Sequence, residues 1–262
     1  MLVLISPAKK LDTLAPAPLA DYTVPQLIEE AGRLIDILKG LGPAELQRLM
    51  KLSPKLADVA LARHRQLTTR LGPENAKPAI FAFKGDTYVG LDAASLAPED
   101  LGVAQTCLRI LSGLYGLLRP LDLIQAYRLE MGARLANPRG PTLYDFWCQP
   151  VTRAVNEALD AAGGGPIVNL ASKEYVSVLN AQALSAPVIT PVFKEGRDGS
   201  YRVLGLFAKR ARGMMARFII QNRIVRAEDL LEFGEAGYRY SPAASSPGQP
   251  VFLRQQPRKS AA

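Results

Sequence analysis

At 262 residues, 48% of them hydrophobic and 21% charged, the chain is long enough for one large domain or two small ones and too apolar to be disordered throughout. The formal net charge of +8 favours anionic partners: nucleic acid, nucleotides or acidic surfaces. No apolar run approaches the roughly 18 residues that a spanning helix needs, so no membrane partner is expected.

Met1 to Ile5 are apolar, but Pro7, Lys9 and Lys10 follow at once, so Val3 to Ile5 reads as a first strand rather than part of a leader peptide. Asp12 to Tyr22, with Pro16 and Pro18, reads as irregular. Thr23 and Gln26 have capping-box spacing, and the next helix places Leu27, Ile28, Ala31, Leu34, Ile35 and Leu38 on one face before Gly40. A second helix opens at Pro43 and carries Leu46, Leu49 and Met50. Ser53 suits an N-cap and Pro54 a first helical position, which predicts a third helix from Lys55 to about Arg70. His64, the only histidine, stands there among Arg63, Arg65 and Gln66 and reads as a surface residue.

Beyond Gly72-Pro73 the pattern turns β-like. Ala79 to Phe83 reads as a strand leading into Lys84-Gly85-Asp86, then an alternating segment through Tyr88 to Leu91. A short helix near Pro98 to Gln105 precedes a buried strand at Leu108, Ile110 and Leu111, which breaks at Ser112-Gly113. Leu143 to Ala162 reads as a helix containing Pro150 and ending at three glycines, and Ile167 to Leu170 as a strand with Ser172 capping the next helix. Val188 to Lys194 and Tyr201 to Phe207 are expected to form a hairpin around Arg197-Asp198-Gly199. A helix from Ala208 to about Asn222 buries Ala211, Met214, Met215, Phe218 and Ile219, leaving Lys209, Arg212 and Arg217 outside that stripe. Short strands are expected within Tyr238 to Leu253. There are no internal repeats and no dividing linker. The order is mixed rather than a regular β-α alternation, which predicts an α/β chain with a mixed sheet, one domain over residues 1–254 and a frayed tail at 255–262.

Two cysteines in apolar contexts, Cys107 and Cys148, fit reduced thiols in a cytosolic protein. One histidine and two separated cysteines make no zinc site of the usual spacing, and no Glu-x-x-His pattern supports a carboxylate-rich iron site, so no metal or cofactor is expected.

Four constellations bear on function. The tight connection between the second and third helices, with Lys51, Ser53, Lys55 and Arg63 around it, reads either as an ordinary helical hairpin with solvated lysines or as a phosphate site that uses backbone N–H groups at a helix N-terminus. It carries Ser53-Pro54 where DNA-binding helix-hairpin-helix turns carry glycines. From Arg202 to Arg226 seven basic residues, among them Lys209, Arg210, Arg212 and Arg217, occur without an acid, which a bland surface would interleave. Lys84-Gly85-Asp86 resembles the rim of a site or a structural turn. Leu108 to Gly132 carries Ser112, Tyr115, Arg119, Asp122, Tyr127, Arg128 and Glu130 into an apolar setting. Its arginines either pair with Asp122 and Glu130 or line an anion-binding cleft with Lys9 and Ser172.

Several segments together resemble the YaaA family of peroxide stress proteins: MLVLISPAK at the start, AFKGDTY around Lys84, SGLYGLLRPLD with YRLEMG through Gly132, NLAS before Glu174-Tyr175, and AKRARG with RFII on the basic helix. The resemblance implies a cytoplasmic bacterial protein that protects against hydrogen peroxide, associated with limiting free intracellular iron. It also implies an unusual single α/β fold, a helix-hairpin-helix-like element, which maps to residues 43–70, and a basic cleft that binds double-stranded DNA. The alternative is an enzyme acting on a nucleotide, nucleic acid or other anionic small molecule. In that reading Asp86 or Glu130 is a general base and Lys84 or Arg128 an anion clamp. The two readings part on geometry: convergence of these residues in one pocket favours an enzyme.

Overall fold

The computed structural model describes residues 1–12, 17, 21–197 and 199–255. In chain order its elements begin with β1 (Leu2–Ile5), β2 (Lys10–Leu11), α1 (Ile28–Gly40), α2 (Pro43–Met50) and α3 (Pro54–Gln66). There follow β3 (Lys77–Pro78), α4 (Ala79–Ala82), β4 (Phe83–Lys84), α5 (Asp86–Leu91), α6 (Pro98–Cys107), β5 (Leu108–Ser112), β6 (Gly116–Leu118) and β7 (Leu123–Ile124). The remainder comprises α7 (Leu143–Ala161), β8 (Ile167–Leu170), α8 (Lys173–Val176), β9 (Val188–Ile189), β10 (Val192–Arg197), β11 (Ser200–Arg202), α9 (Gly205–Gln221), β12 (Arg239–Tyr240) and β13 (Val251–Gln255), with short 3-10 turns between.

The fold is α/β. Its main sheet has the order β6-β5-β1-β8-β9, parallel except for β6, which folds back antiparallel on β5. Every residue of β1 is buried, as a strand covered on both faces requires, and Val3 stands between Leu108 of β5 and Val168 of β8. Helix α9 packs across β1 and β8, and α7 against β6. A second sheet, β11-β10-β13-β12, packs an aromatic cluster in which Phe193 and Phe252 stack and Phe233 meets both edge-on. The α2–α3 pair has a small apolar core of its own, Leu46, Met50, Ala57 and Ala60. Lys51 takes a left-handed conformation (φ 51°) to end α2, and Ser53 caps α3.

Several local expectations change. Ala79 to Ala82 is a buried helical turn, not a strand, and the Asp86 segment is the helix α5, whose Tyr88, Gly90 and Leu91 are its buried residues. A short, wholly apolar run does not distinguish strand from helix, and here tertiary packing chose. Helix α3 stops at Gln66, and Phe207 already belongs to α9. Thr23 caps nothing: its hydroxyl donates to Asp122 at 2.6 Å. Of the expected irregular stretch, residues 13–16 and 18–20 lie outside the described residues, as do Asp198 of the hairpin turn and 256–262 of the tail; Gln255 closes β13.

Candidate functional site

Strand β1 leads toward the β5 side of the sheet and β8 toward β9, so their connections diverge and open a crevice at the carboxyl ends of these strands. That is where open α/β sheets bind ligands. A cavity of about 500 Å³ occupies this place. Five stretches line it: Ser6 to Lys10 after β1, Lys84 to Tyr88 at the start of α5, Tyr127 to Glu130, Ser172 with Glu174 and Tyr175 at α8, and Lys209 with Arg212 on α9.

Specific contacts bring these stretches together. The Ser172 amide donates to Ser6 Oγ at 2.8 Å, and the Tyr88 hydroxyl to the Ser6 carbonyl at 3.1 Å, which ties the ends of β1 and β8 to α5. The Gly132 amide donates to Glu174 Oε1 at 3.0 Å. Arg212 Nη1 donates to the Leu170 carbonyl at 3.3 Å, fixing α9 to the end of β8; burial lowers its pKa, though a guanidinium stays charged. Helices α5 and α9 touch backbone to backbone at Gly90 and Gly213, where no side chain would fit. Gly113 likewise lets the Leu129 carbonyl approach closely.

Six of the lining residues are basic (Lys9, Lys10, Lys84, Arg128, Lys209, Arg212) against three acids (Asp86, Glu130, Glu174), so the cleft attracts anions. The charge is layered. At the mouth, the Lys9 side chain is 70% exposed and that of Lys84 48%. Deeper, Arg128 Nη2 stands 2.7 Å from Glu130 Oε1, and Lys9 Nζ lies 3.4 Å from the same oxygen. This is a contact of charges without an aligned hydrogen bond: Arg128 Nε and both Glu130 oxygens are buried and lack hydrogen-bond partners. Donors and acceptors left in this state are costly to bury. Tyr88, Tyr127 and Tyr175 add buried rings; burial above all pushes each hydroxyl well above its usual pKa, so all three remain protonated. Behind the mouth, Asp12 stands 3.8 Å from buried Lys77 and 3.9 Å from Lys84, and burial lowers the Lys77 pKa while Asp12 opposes that shift.

The model of the family described as peroxide stress protein YaaA matches residues 1–244. The chain belongs to the YaaA family. It is 50% identical over 256 residues to a UPF0246 protein of Shewanella amazonensis, covering 98% of this chain and all of that one. A UPF0246 protein of Dinoroseobacter shibae is 51% identical over 257 residues, covering 98% and 96% of the two chains.

On this YaaA-family chain the cleft gathers Lys9, Lys84, Asp86, Tyr127, Arg128, Glu130, Ser172, Lys209 and Arg212. The other candidates lie elsewhere. Ser112 and Tyr115 are buried behind it: Ser112 Oγ is 2.7 Å from the Tyr127 hydroxyl, and the Tyr115 hydroxyl accepts from the Gln125 amide at 3.2 Å. Of the two readings for the arginines, Arg119 takes the paired one. It donates to the fully buried Asp122 through its amide (2.7 Å), Nε (3.0 Å) and Nη2 (2.8 Å), closing a turn away from the cleft. Arg128 both pairs and lines the cleft. Arg217 donates to the Leu91 and Asp92 carbonyls, tying α9 to the end of α5, and exposed Arg210 is not among the cleft-lining residues. Lys51, Ser53, Lys55 and Arg63 sit on the α2–α3 hairpin, with Lys51, Ser53 and Lys55 exposed.

His64 is not a surface residue. It is fully buried, with Nε2 3.0 Å from the Arg128 carbonyl and 3.4 Å from the Arg128 amide, and Nδ1 has no partner. Burial lowers its pKa, with the Arg128 bond opposing. The spacing Ala57, Ala60, His64 along α3 puts all three on its inward face, a signal outweighed in the sequence by the flanking arginines. Glu174 and Tyr175, like Ser172, follow a buried strand, the signal that marks them as rim residues. Both cysteines are half-buried and unpaired. Among the described residues, no helix is long and apolar enough to cross a membrane.

Proposed function

We propose that this protein binds double-stranded DNA in the peroxide stress response, seating phosphates on the basic mouth of the cleft and on the α2–α3 hairpin. The observation that carries this reading is the meeting of Lys9, Lys84, Lys209 and Arg212, from three separate parts of the chain, around one opening. Exposed Lys51 and Lys55 flank the N-terminus of α3, where backbone N–H groups and the helix dipole favour a phosphate. Bound along the duplex, the protein would shield it from radicals generated by peroxide and free iron, and the association with limiting free iron belongs to the same proposal. Fluorescence anisotropy with a labelled duplex tests it. A protein that neutralises about six phosphates loses roughly a thousandfold in affinity between about 50 and 200 mM salt. No binding at about 50 mM salt would sink the reading.

A second reading has an observation of its own. Lys9, Lys84, Asp86, Arg128 and Glu130 converge in one pocket, the geometry that favours an enzyme, with three buried tyrosines beside them, whereas phosphate contacts need only cations and amides. On this reading the cleft is the active site of an enzyme acting on a nucleotide or nucleic acid, with Asp86 or Glu130 as general base and Lys84 or Arg128 as anion clamp. Mass spectrometry of nucleotides and duplex after incubation with the protein decides it: a product absent from an Asp86→Asn or Glu130→Gln variant supports catalysis, and unchanged masses leave binding alone.

A further inference from the structure

The cations of the cleft divide by their counter-ions. Lys9 and Arg128 share Glu130, at 3.4 and 2.7 Å, and Lys84 stands 3.9 Å from Asp12. Arg212 has no acid partner among the described residues, and its own stretch of chain, Arg202 to Arg226, contains no acid. It is half-buried, whereas Lys9, Lys84 and Lys209 are exposed. Two bonds hold the guanidinium in place: Nε donates to the Ala208 carbonyl and Nη1 to the Leu170 carbonyl, both at 3.3 Å. These leave part of its donor fork unused. None of its nitrogens is buried without a partner, so the unused N–H groups reach open space, and the cleft is the space that Arg212 lines. A cation fixed in direction, partly withdrawn from water and lacking a counter-ion is costly to keep unless a ligand supplies the charge.

Lys209 stands three residues earlier on α9, so it shares a face with Arg212, and it too lacks an acid partner among the described residues. Ser172, two residues beyond the Leu170 carbonyl, adds a hydroxyl to the same lining. Two cations without counter-ions match a dianion. A phosphate monoester carries a charge of about −1.5 to −2 at neutral pH, whereas each phosphodiester within a strand carries a single charge. We infer that the cleft seats a phosphate monoester on Arg212, with Lys209 beside it, in preference to the phosphodiesters of a continuous strand. This rests on the reading of the cleft as a phosphate site and adds to it a ligand class and the residue that selects it. The monoester is either a free nucleotide or the 5′-phosphate at the end of a DNA strand.

Titration calorimetry of the full chain at about 50 mM salt, with dTMP, the methyl ester of dTMP and thymidine, tests the inference. Losing one charge-assisted contact at the guanidinium is expected to make the methyl ester bind about tenfold more weakly than dTMP, and thymidine more weakly still. Arg212→Lys keeps the charge but not the planar fork, and is expected to lose this preference. Lys39→Ala, which removes an exposed charge at the end of α1, is expected to keep it. The comparison of ligands on the native chain stands whatever the stability of the Arg212 variant. Duplexes with and without 5′-phosphates separate the two sources. Tighter binding of the phosphorylated duplex assigns the site to a strand end, and equal duplex affinities alongside dTMP binding assign it to a free nucleotide. Equal affinities for dTMP and its methyl ester with no effect of the 5′-phosphate, or a preference retained by folded Arg212→Lys, overturn the inference and leave DNA binding intact. Failure of every nucleotide and duplex to bind overturns the phosphate reading as well.

Discussion

Replacing Gly213 by alanine sets two physical effects against each other. Gly213 lies inside α9, where alanine is favoured over glycine by about 1 kcal/mol on helix propensity alone. A Cβ there would stand 1.8 Å from the Thr87 carbonyl oxygen and 2.7 Å from the Leu91 amide nitrogen of α5. Both are backbone atoms that cannot rotate aside, so α5 has to withdraw by about 1 Å. Overpacking of this kind costs about 3 kcal/mol, which leaves a net loss of about 2 kcal/mol or more. At about 2–4 °C per kcal/mol for a chain near this size, the midpoint falls by about 4–8 °C. Because α5 carries Asp86 and Tyr88 into the cleft, ligand binding weakens with it. Gly102 of α6 supplies the control: a Cβ there meets nothing within 4 Å, so Gly102→Ala gains about 0.5–1 kcal/mol. Urea unfolding followed by circular dichroism measures both, provided the m-value is unchanged. A Gly213→Ala variant at least as stable as the native chain would refute the argument that this close approach holds α5 in place.

Asp122→Ala is expected to cost about 3–5 kcal/mol, because it strips a buried carboxylate from Arg119 and Thr23; a loss below about 1 kcal/mol in urea unfolding would show the pair to be dispensable. Burial depresses the His64 pKa, so below its unfolded value near 6.5 the unfolded chain binds a proton that the native chain refuses. Stability from this group is therefore complete at neutral pH and declines as the pH falls from that value toward the folded pKa, by at most about 1.4 kcal/mol per pH unit. Gln in place of His64 should flatten this part of the stability profile, and identical slopes from pH 7.5 to 5 would contradict it. Alanine at both Lys51 and Lys55 is expected to weaken duplex binding equally for unrelated sequences and to lower the salt slope by about 1–2; unchanged affinity would remove the hairpin from the interface without touching the cleft.

Much of this architecture was legible locally. The uniform apolarity of Leu2 to Ile5 fits a strand buried on both faces, and the apolar spacing marks the inward face of α1 and, at Ala211, Met215 and Ile219, of α9, while Met214 and Phe218 are only half-buried. Ser53-Pro54 and the three glycines after Ala162 punctuate helices by rules of backbone conformation. Ala79 to Ala82 escaped such rules, because four apolar residues buried all round satisfy strand and helix equally. His64 was hidden by its charged neighbours, although its spacing from Ala57 and Ala60 pointed inward.

The candidate site divides in the same way. By itself the sequence determined the family, the charge bias and the residues that follow buried strands, since these depend on composition, periodicity and motif. It did not separate Arg119, which closes a turn on Asp122, from Arg128, which lines the cleft: both stand near an acid in an apolar setting. Only the tertiary structure decided that. The order β5-β1-β8 sets segments that are far apart in the chain side by side, and glycine-only contacts press α5 onto α9 and the turn after β5 onto the Leu129 segment. Periodicity reports which face of an element is buried, whereas a cleft is made by which elements become neighbours, and that is a long-range packing outcome.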